Sequence, residues 1–224
     1  MGSVYKGLAF STDGTNSYLY AADFHNNKID VTPSSGAPAL TGNFTDPTLP
    51  AGYAPFNIQS INGQLYVTYA LQDAAGMDDT PCPGCGYVSI FTTNGDFVQR
   101  FASKGSLNAP WGLAMAPSGW GKFSNDLLVG NFGDGLINVF DSMGNMVGTV
   151  SDTNGANLMN DGLWGLTFGN GGSGGSKNIL YFSAGLNGEN DGLFGAIAPA
   201  PEPGTLALFS AGAVALMIAR RRKR

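Results

Sequence analysis

Two cysteines, a single histidine and a cluster of aspartates are the residues here whose types and spacing could do chemistry. Cys82-Pro83-Gly84-Cys85 has the CxxC spacing. As a redox pair it would want a helix N-terminus to lower the thiol pKa, yet the flanking sequence reads as a loop between two strands. As a zinc site it would need two further ligands, and no second pair of cysteines exists. The favoured reading is a loop disulfide between Cys82 and Cys85 formed after export. Free thiols, and a redox or metal role, stand behind it as alternatives. His25 lies with Asp23, Asn26 and Asn27 in a turn, with no serine or cysteine nucleophile motif to pair with it. A surface turn histidine is the reading preferred over a general base. Asp73, Asp78 and Asp79 could offer calcium the carboxylate oxygens it prefers. Their spacing does not match the EF-hand loop, so solvated loop acids are expected. The run Gly169 to Ser176 lacks the Gly-Lys-Ser/Thr that ends a phosphate loop and reads as a flexible connector. The sequence therefore assigns no catalytic residue, no metal ligand and no cofactor.

The elements that would position these residues read as β-strands. Glycine makes up 34 of 224 residues, roughly twice the usual share, and only 12% of residues are charged. Hydrophobic content of 43% is enough for a buried core. Apart from Glu189 and Glu202 every acid is aspartate, which favours turns. Scarce Glu, Lys and Arg argue against extensive surface helix. Five of the eleven basic residues are Arg220 to Arg224 at the very end, so the body is strongly acidic. Such a body would repel a phosphate backbone, and nucleic acid is not an expected partner.

The chain repeats itself. Tyr5-Lys6-Gly7-Leu8-Ala9-Phe10, Pro55-Phe56-Asn57-Ile58, Pro110-Trp111-Gly112-Leu113-Ala114-Met115 and Leu163-Trp164-Gly165-Leu166-Thr167-Phe168 open four units alike. A second run follows each opening, as in Leu19 to Phe24 and Leu127 to Phe132. A third follows that, as in Tyr87 to Phe91 and Leu136 to Phe140, with partial period-two alternation. Asn94-Gly95-Asp96 and Ser142-Met143-Gly144-Asn145 then lead into fourth strands, Asn-Gly between apolar runs being a strong hairpin signal. Four antiparallel strands in a repeat of about 50 residues is the layout of a β-propeller blade. One blade cannot cover its own apolar faces, so neighbours must stack on it. The expected fold is all-β, a propeller-like array of about four four-stranded blades over residues 5–51, 52–107, 108–160 and 161–198, with a hydrophobic C-terminal helix. Trp111 and Trp164 fall on the presumed innermost strands, where wedge-filling core packing is favoured over a ligand platform. The ends of the second strands, Asp23, Tyr69, Asn131 and Ala184, make a poor ligand set for a channel enzyme. The first three units have four strand candidates and the last has three, so no strand is left to close the ring. No basic n-region or apolar h-region precedes Tyr5. Both observations point to a truncated part of a longer propeller.

The C-terminus is a different kind of segment. Residues 199–204 form a Pro-rich linker, Leu206 to Ala219 is apolar but for Ser210, and the basic cluster follows. Fourteen helical residues reach about 21 Å, short of the ~30 Å hydrocarbon core, so snorkelling arginines would have to complete a membrane anchor at 205–224. The positive-inside rule leaves the arginines in the cytoplasm and the acidic body across the membrane.

Pro201-Glu202-Pro203, then an apolar helix, then an Arg-rich end, resembles the PEP-CTERM sorting signal of Gram-negative bacteria. The resemblance implies exosortase as a processing partner, with Pro201, Glu202 and Pro203 as the sorting motif. It also implies export, a membrane-held intermediate, and a destination in the cell envelope or exopolysaccharide matrix. The body resembles an uncharacterised family of PEP-CTERM proteins with NHL-like propeller repeats, through Leu127 to Gly135 and Asp161 to Leu166. That family supplies no activity to carry over. The functional expectation is a non-catalytic binding or scaffold module for a polysaccharide or protein ligand. The alternative is a metal-dependent propeller hydrolase or lyase of the lactonase kind.

Overall fold

A computed structural model describes residues 2–12 and 14–199. The sorting motif Pro201–Pro203 and the expected anchor at 205–224 lie outside the described residues. Among those described, no helix is long and apolar enough to cross a membrane.

Among the described residues, fourteen strands form four antiparallel sheets in chain order. The first sheet holds β1 (Tyr5–Thr12), β2 (Ser17–Asp23) and β3 (Lys28–Pro33). The second holds β4 (Tyr53–Ile61), β5 (Gln64–Leu71), β6 (Gly86–Phe91) and β7 (Phe97–Ser103). The third holds β8 (Pro110–Met115), β9 (Leu127–Asn131), β10 (Ile137–Phe140) and β11 (Met146–Thr149). The fourth holds β12 (Leu163–Phe168), β13 (Leu180–Gly185) and β14 (Asp191–Ile197). Each sheet is a meander whose strands pair in sequence order, as in a propeller blade. The innermost strands β1, β4, β8 and β12 lie side by side, so blades stack in the order of the chain.

The first blade has three strands, not the four its repeat predicts. Residues 34–52 carry Pro38, Pro47 and Pro50, and proline cannot donate to a ladder. This segment crosses to the second blade instead. Its Gly42 and Phe44 N–H groups donate to the carbonyls of Asn94 and Gly95, and Thr41 N–H donates to Asn94 Oδ1 at 3.1 Å. Phe44 takes a left-handed φ of 55° that turns its ring into the core.

Burial follows from the stacking. Three seams and one axial cluster make the core. Ala9, Tyr20 and Ala22 meet Ile58, Val67 and Tyr87 between blades one and two. Tyr66, Val88 and Phe101 meet Leu113, Val129 and Phe140 between two and three. Ala114, Leu128 and Val139 meet Leu163, Leu166 and Phe182 between three and four. Neighbours along one strand serve opposite seams, as Tyr66 and Val67 do. A strand covered on both faces needs apolar residues on both, which is why Leu127-Leu128-Val129 does not alternate.

The glycines at this repeat position in blades one and three have a steric cause. A Cβ on Gly112 would stand 2.6 Å from the Trp164 carbonyl oxygen of the next blade, and one on Gly7 would strike Asn57. Asn57 occupies the same repeat position in blade two, where its buried amide donates to the Trp111 carbonyl at 2.7 Å. Three of these positions thus set the approach of successive inner strands, twice by removing a side chain and once by a hydrogen bond.

One buried ion pair clamps the first seam. Asp46, from the crossing segment, is fully enclosed and pairs with Arg100 of β7. Its Oδ2 also accepts from Ser89 Oγ at 2.6 Å, and its Oδ1 accepts from the Thr48 N–H and hydroxyl. Burial pushes this carboxyl up, but the bonds from Ser89, Thr48 and Arg100 outweigh that and hold it below the usual carboxylate range. Arg100 also lies over the Tyr87 ring, 4.5 Å from its centroid.

Candidate binding site at the channel mouth

The inner strands pack in series, and their first residues share one end of the array, the mouth, beneath which the axial aromatic cluster is packed. Alternation in each meander returns the turn between second and third strands to that same end. Four equivalent turns therefore surround the mouth: residues 24–27, 72–85, 132–136 and 186–190.

The aromatic residues of the repeat converge below them. Phe24, Phe56, Phe132 and Trp164 pack in series, with Phe24–Phe56 centroids 5.3 Å apart and Phe132–Trp164 centroids 4.5 Å apart. Trp111 meets Trp164 edge to face at 5.3 Å. Phe24 and Phe56 are fully buried, whereas Trp111, Phe132 and Trp164 are partly exposed. Core packing accounts for one edge of each tryptophan. The other carries a polar bond: Trp111 Nε1 donates to the Lys6 carbonyl at 2.9 Å, and Trp164 Nε1 donates to Glu189 Oε1 at 2.7 Å. Glu189 itself sits at a left-handed φ of 66° after Asn187 at 55°, backbone that is strained for non-glycine residues. Lys6 Nζ in turn pairs with Asp78 Oδ1 at 2.9 Å. One chain of contacts thus crosses the mouth, from Asp78 of blade two through Lys6 and Trp111 to Trp164 and Glu189 of blade four.

The acids singled out in the sequence separate into different roles. Asp73 caps its own loop, accepting the Met77 N–H at 2.8 Å, and such backbone bonds keep its pKa low. Asp78 pairs with Lys6. Asp79 is different: its Oδ2 is enclosed without a hydrogen-bond partner. Burial, then the neighbouring Asp78, pushes its carboxyl up to about 6. Among the described residues no three His, Cys, Asp or Glu side chains are placed to hold a metal ion. His25 is tied rather than free, with Nδ1 3.1 Å from the Gly76 carbonyl. Gln72 Nε2 donates to the Phe24 carbonyl at 2.7 Å, a second link between these turns. Cys82 and Cys85 form a disulfide in the same loop, with Cα atoms 5.2 Å apart. Asp23 is buried and accepts from Val4 N–H and Asn26. Its repeat equivalent Asn131 donates to the Ser106 carbonyl and to Asp134. Both hold their turns rather than face a ligand. Sequence reasoning missed Lys6, Asp79's burial and Glu189, because their partners lie far along the chain. The repeat alignment does carry one signal, since Glu189 occupies the blade turn that faces Trp164.

Three cavities lie among the described residues, one reaching the mouth turn at Asn27 and another reaching Trp111. Two open along the first seam under residues 39–51, of about 340 and 300 Å³, sharing Ile29, Asn43 and Phe44 as walls. A third, of about 270 Å³, lies against blade four and includes Trp111, Tyr181 and Phe194.

Residues 199–223 match the PEP-CTERM protein-sorting motif. That motif implies export, C-terminal anchoring and exosortase-dependent processing. Two uncharacterized proteins of Acanthamoeba polyphaga mimivirus resemble the body. One is 39% identical over 209 residues, covering 87% of this chain and 51% of the relative. The other is 40% identical over 205 residues, covering 87% and 48%. The chain thus spans about half the length of these relatives. Among solved structures, an exo-beta-1,3-galactanase from Phanerochaete chrysosporium, crystallised with beta-1,3-galactotriose, aligns over 91% of this chain and 49% of its own. Its TM-score is 0.55 at 12% identity, a likeness of fold alone. The motif and the four stacked blades together describe an exported propeller protein.

Proposed function

We propose that this protein works outside the cytoplasm as a non-catalytic binding or scaffold module of the cell envelope or extracellular matrix, presenting its channel mouth to a polysaccharide or protein ligand. The observation that carries this reading is the employment of the mouth's acids. Asp23, Asp73, Asp78, Asp134 and Glu189 each already hold a turn, a lysine or an indole. Glycoside hydrolysis needs a pair of carboxyls aimed at one bond, and engaged acids serve recognition better than turnover. In this reading the body stays outside while the tail is held in the membrane, and exosortase cleaves near Pro201–Pro203 to release it. The Cys82–Cys85 disulfide suits such an oxidising destination. The test is to present the purified protein with matrix polysaccharide and with a lactone and glycoside panel. Retention on polysaccharide without turnover supports the reading, and robust turnover defeats it.

A second reading, the metal-dependent hydrolase or lyase, is favoured by Asp79 alone. An enclosed carboxyl raised toward neutrality is what a general acid requires. If that reading holds, Asp79→Asn abolishes a turnover that the native chain displays and that chelators suppress.

A further inference from the structure

We infer that the joint between blades two and three binds one calcium ion, through Asp134, the Ser106 carbonyl and the side-chain oxygens of Asn108 and Asn131. Residues 104–109 connect β7 to β8 and pass beside the mouth turn 132–136, tied to it by the Gly133 N–H to Asn108 carbonyl bond. Two acceptors in this joint are crowded with donors. Asn131 Nδ2 stands 2.7 Å from the Ser106 carbonyl oxygen, 3.1 Å from Asp134 Oδ1 and 3.3 Å from Asp134 Oδ2. Asn138 Nδ2 donates to the same Ser106 carbonyl at 2.9 Å, and Asn108 Nδ2 donates to Asp134 Oδ2 at 3.4 Å. Yet Asn131 Oδ1, Asn108 Oδ1 and Ser106 Oγ are enclosed with no hydrogen-bond partner among the described residues. Asn131 is fully buried and Asn108 is 6% exposed. Three orphaned oxygens in one joint are costly unless something else engages them. Blade one does without them: the equivalent Asp23 accepts from Val4 N–H and from Asn26, and neither of its oxygens is orphaned.

Turning an amide half over exchanges its nitrogen and oxygen with little change of shape. For Asn131 this places Oδ1 where Nδ2 now stands, close to three oxygens that repel it. A cation among them removes that repulsion. The spacing suits calcium: oxygens held at about 2.3–2.6 Å in a shell of about six to eight stand roughly 3 Å from one another, the separation that Asn131 Nδ2 keeps from its three neighbours. Asn108 turned likewise brings a second amide oxygen to Asp134. A Cβ on Gly133 would strike Asn108 Oδ1, so glycine gives that amide its room. Asn138 keeps its orientation, because its Oδ1 accepts from Thr149 Oγ1 at 3.1 Å, and it aims the Ser106 carbonyl. The Leu136 N–H fixes Asp134 Oδ1 at 3.1 Å. The donors are all oxygen, which selects a hard cation. Magnesium demands closer octahedral geometry and sheds water reluctantly, so it suits the joint less. Asp134 and Ser106 are only part-buried and leave an ion a way in from the mouth. A single carboxylate sets a weak affinity, on the order of 10⁻⁴–10⁻³ M as in extracellular modules, in keeping with an exported chain. Bound there, the ion pins the connector between two blades to a turn of the mouth. This inference does not rest on the ligand reading above.

The test is calorimetric titration of the full chain, stripped with chelator, with calcium chloride and separately with magnesium chloride, beside Asp134→Asn. The native chain should take up about one calcium ion with a Kd on the order of 10⁻⁴–10⁻³ M. Its melting temperature should rise by several degrees at roughly ten times that concentration. Asp134→Asn should weaken binding by about tenfold or more and lose the rise, because it removes the only charge in the shell. A native chain that calcium neither binds nor stabilises overturns the inference. So does a rise that survives in Asp134→Asn, which would place the ion on other acids, or one that magnesium reproduces in full. Should Asp134→Asn lose its near-ultraviolet dichroism, Asn131→Asp replaces it. That variant adds a second carboxylate to the shell and should tighten calcium binding by about tenfold, and an unchanged affinity overturns the inference.

Discussion

The two inner blades and the two terminal blades are built from one repeat and end in opposite conditions. β6, β9 and β10 are buried along their whole length, while β14 is exposed at five of its seven residues. The difference lies less in residue types than in what stands beside them. Phe91 of β6 and Phe194 of β14 are both third-strand phenylalanines, one fully buried and the other among the most exposed apolar residues described. A blade's stability is thus largely lent by its neighbours, as in any array of stacked repeats.

That contrast can be broken at its strongest point by Arg100→Ala. The change strands the enclosed Asp46 carboxylate, and about 3–5 kcal/mol should be lost in denaturant melts. Phe194→Ala in the last blade should cost under about 0.5 kcal/mol by the same measurement, since it removes an exposed ring. Equal losses would show that the terminal blades are as tightly held as the inner ones.

Glycines sharpen the comparison. Gly112→Ala places a Cβ against the Trp164 carbonyl and should cost about 1–3 kcal/mol. Gly192→Ala in β14 meets nothing within 4 Å and should leave the melting temperature nearly unchanged.

Asp79 tests the mouth by pH. Its carboxyl is raised to about 6 from an ordinary 3.8, so the folded chain binds a proton there more readily than the unfolded chain. Stability from this group is therefore full below about pH 4 and declines as pH rises through 6. Asp79→Asn should flatten that decline and add about 1–2 kcal/mol at pH 7, allowing for partial exposure. A melting profile with the same slope in both proteins would refute it.

The disulfide should also matter little. Replacing Cys82 and Cys85 together by alanine opens a very short ring whose turn is also held by the Cys85 N–H to Cys82 carbonyl bond. The loss should be under about 1 kcal/mol, read from thermal melts with and without reductant.

The stacking was legible in the sequence because it is written in local periods. The aromatic at 56, 111 and 164 with glycine or asparagine behind it repeats at blade spacing, and each turn announces itself by Asn-Gly or Asp. The missing fourth strand of blade one was not legible as a strand count. Its prolines were visible, but the bonds that residues 41–44 make to Asn94 and Gly95 join segments some fifty residues apart. The mouth was less legible still. Asp73, Asp78 and Asp79 look alike in sequence, and only the fold gives one a backbone cap, one a lysine and one a sealed oxygen. Trp111 and Lys6 are separated by 105 positions, and nothing near either residue announces the other.

That last bond spans blades that are not neighbours, from the third back to the first. It works as a chord across an arc, fixing curvature without waiting for a ring to shut. It also turns Trp111 into an optical gauge. An indole held to a backbone carbonyl shifts its emission when water takes that place, so detachment of the first blade would be visible as a colour change while the remaining sheets still stood.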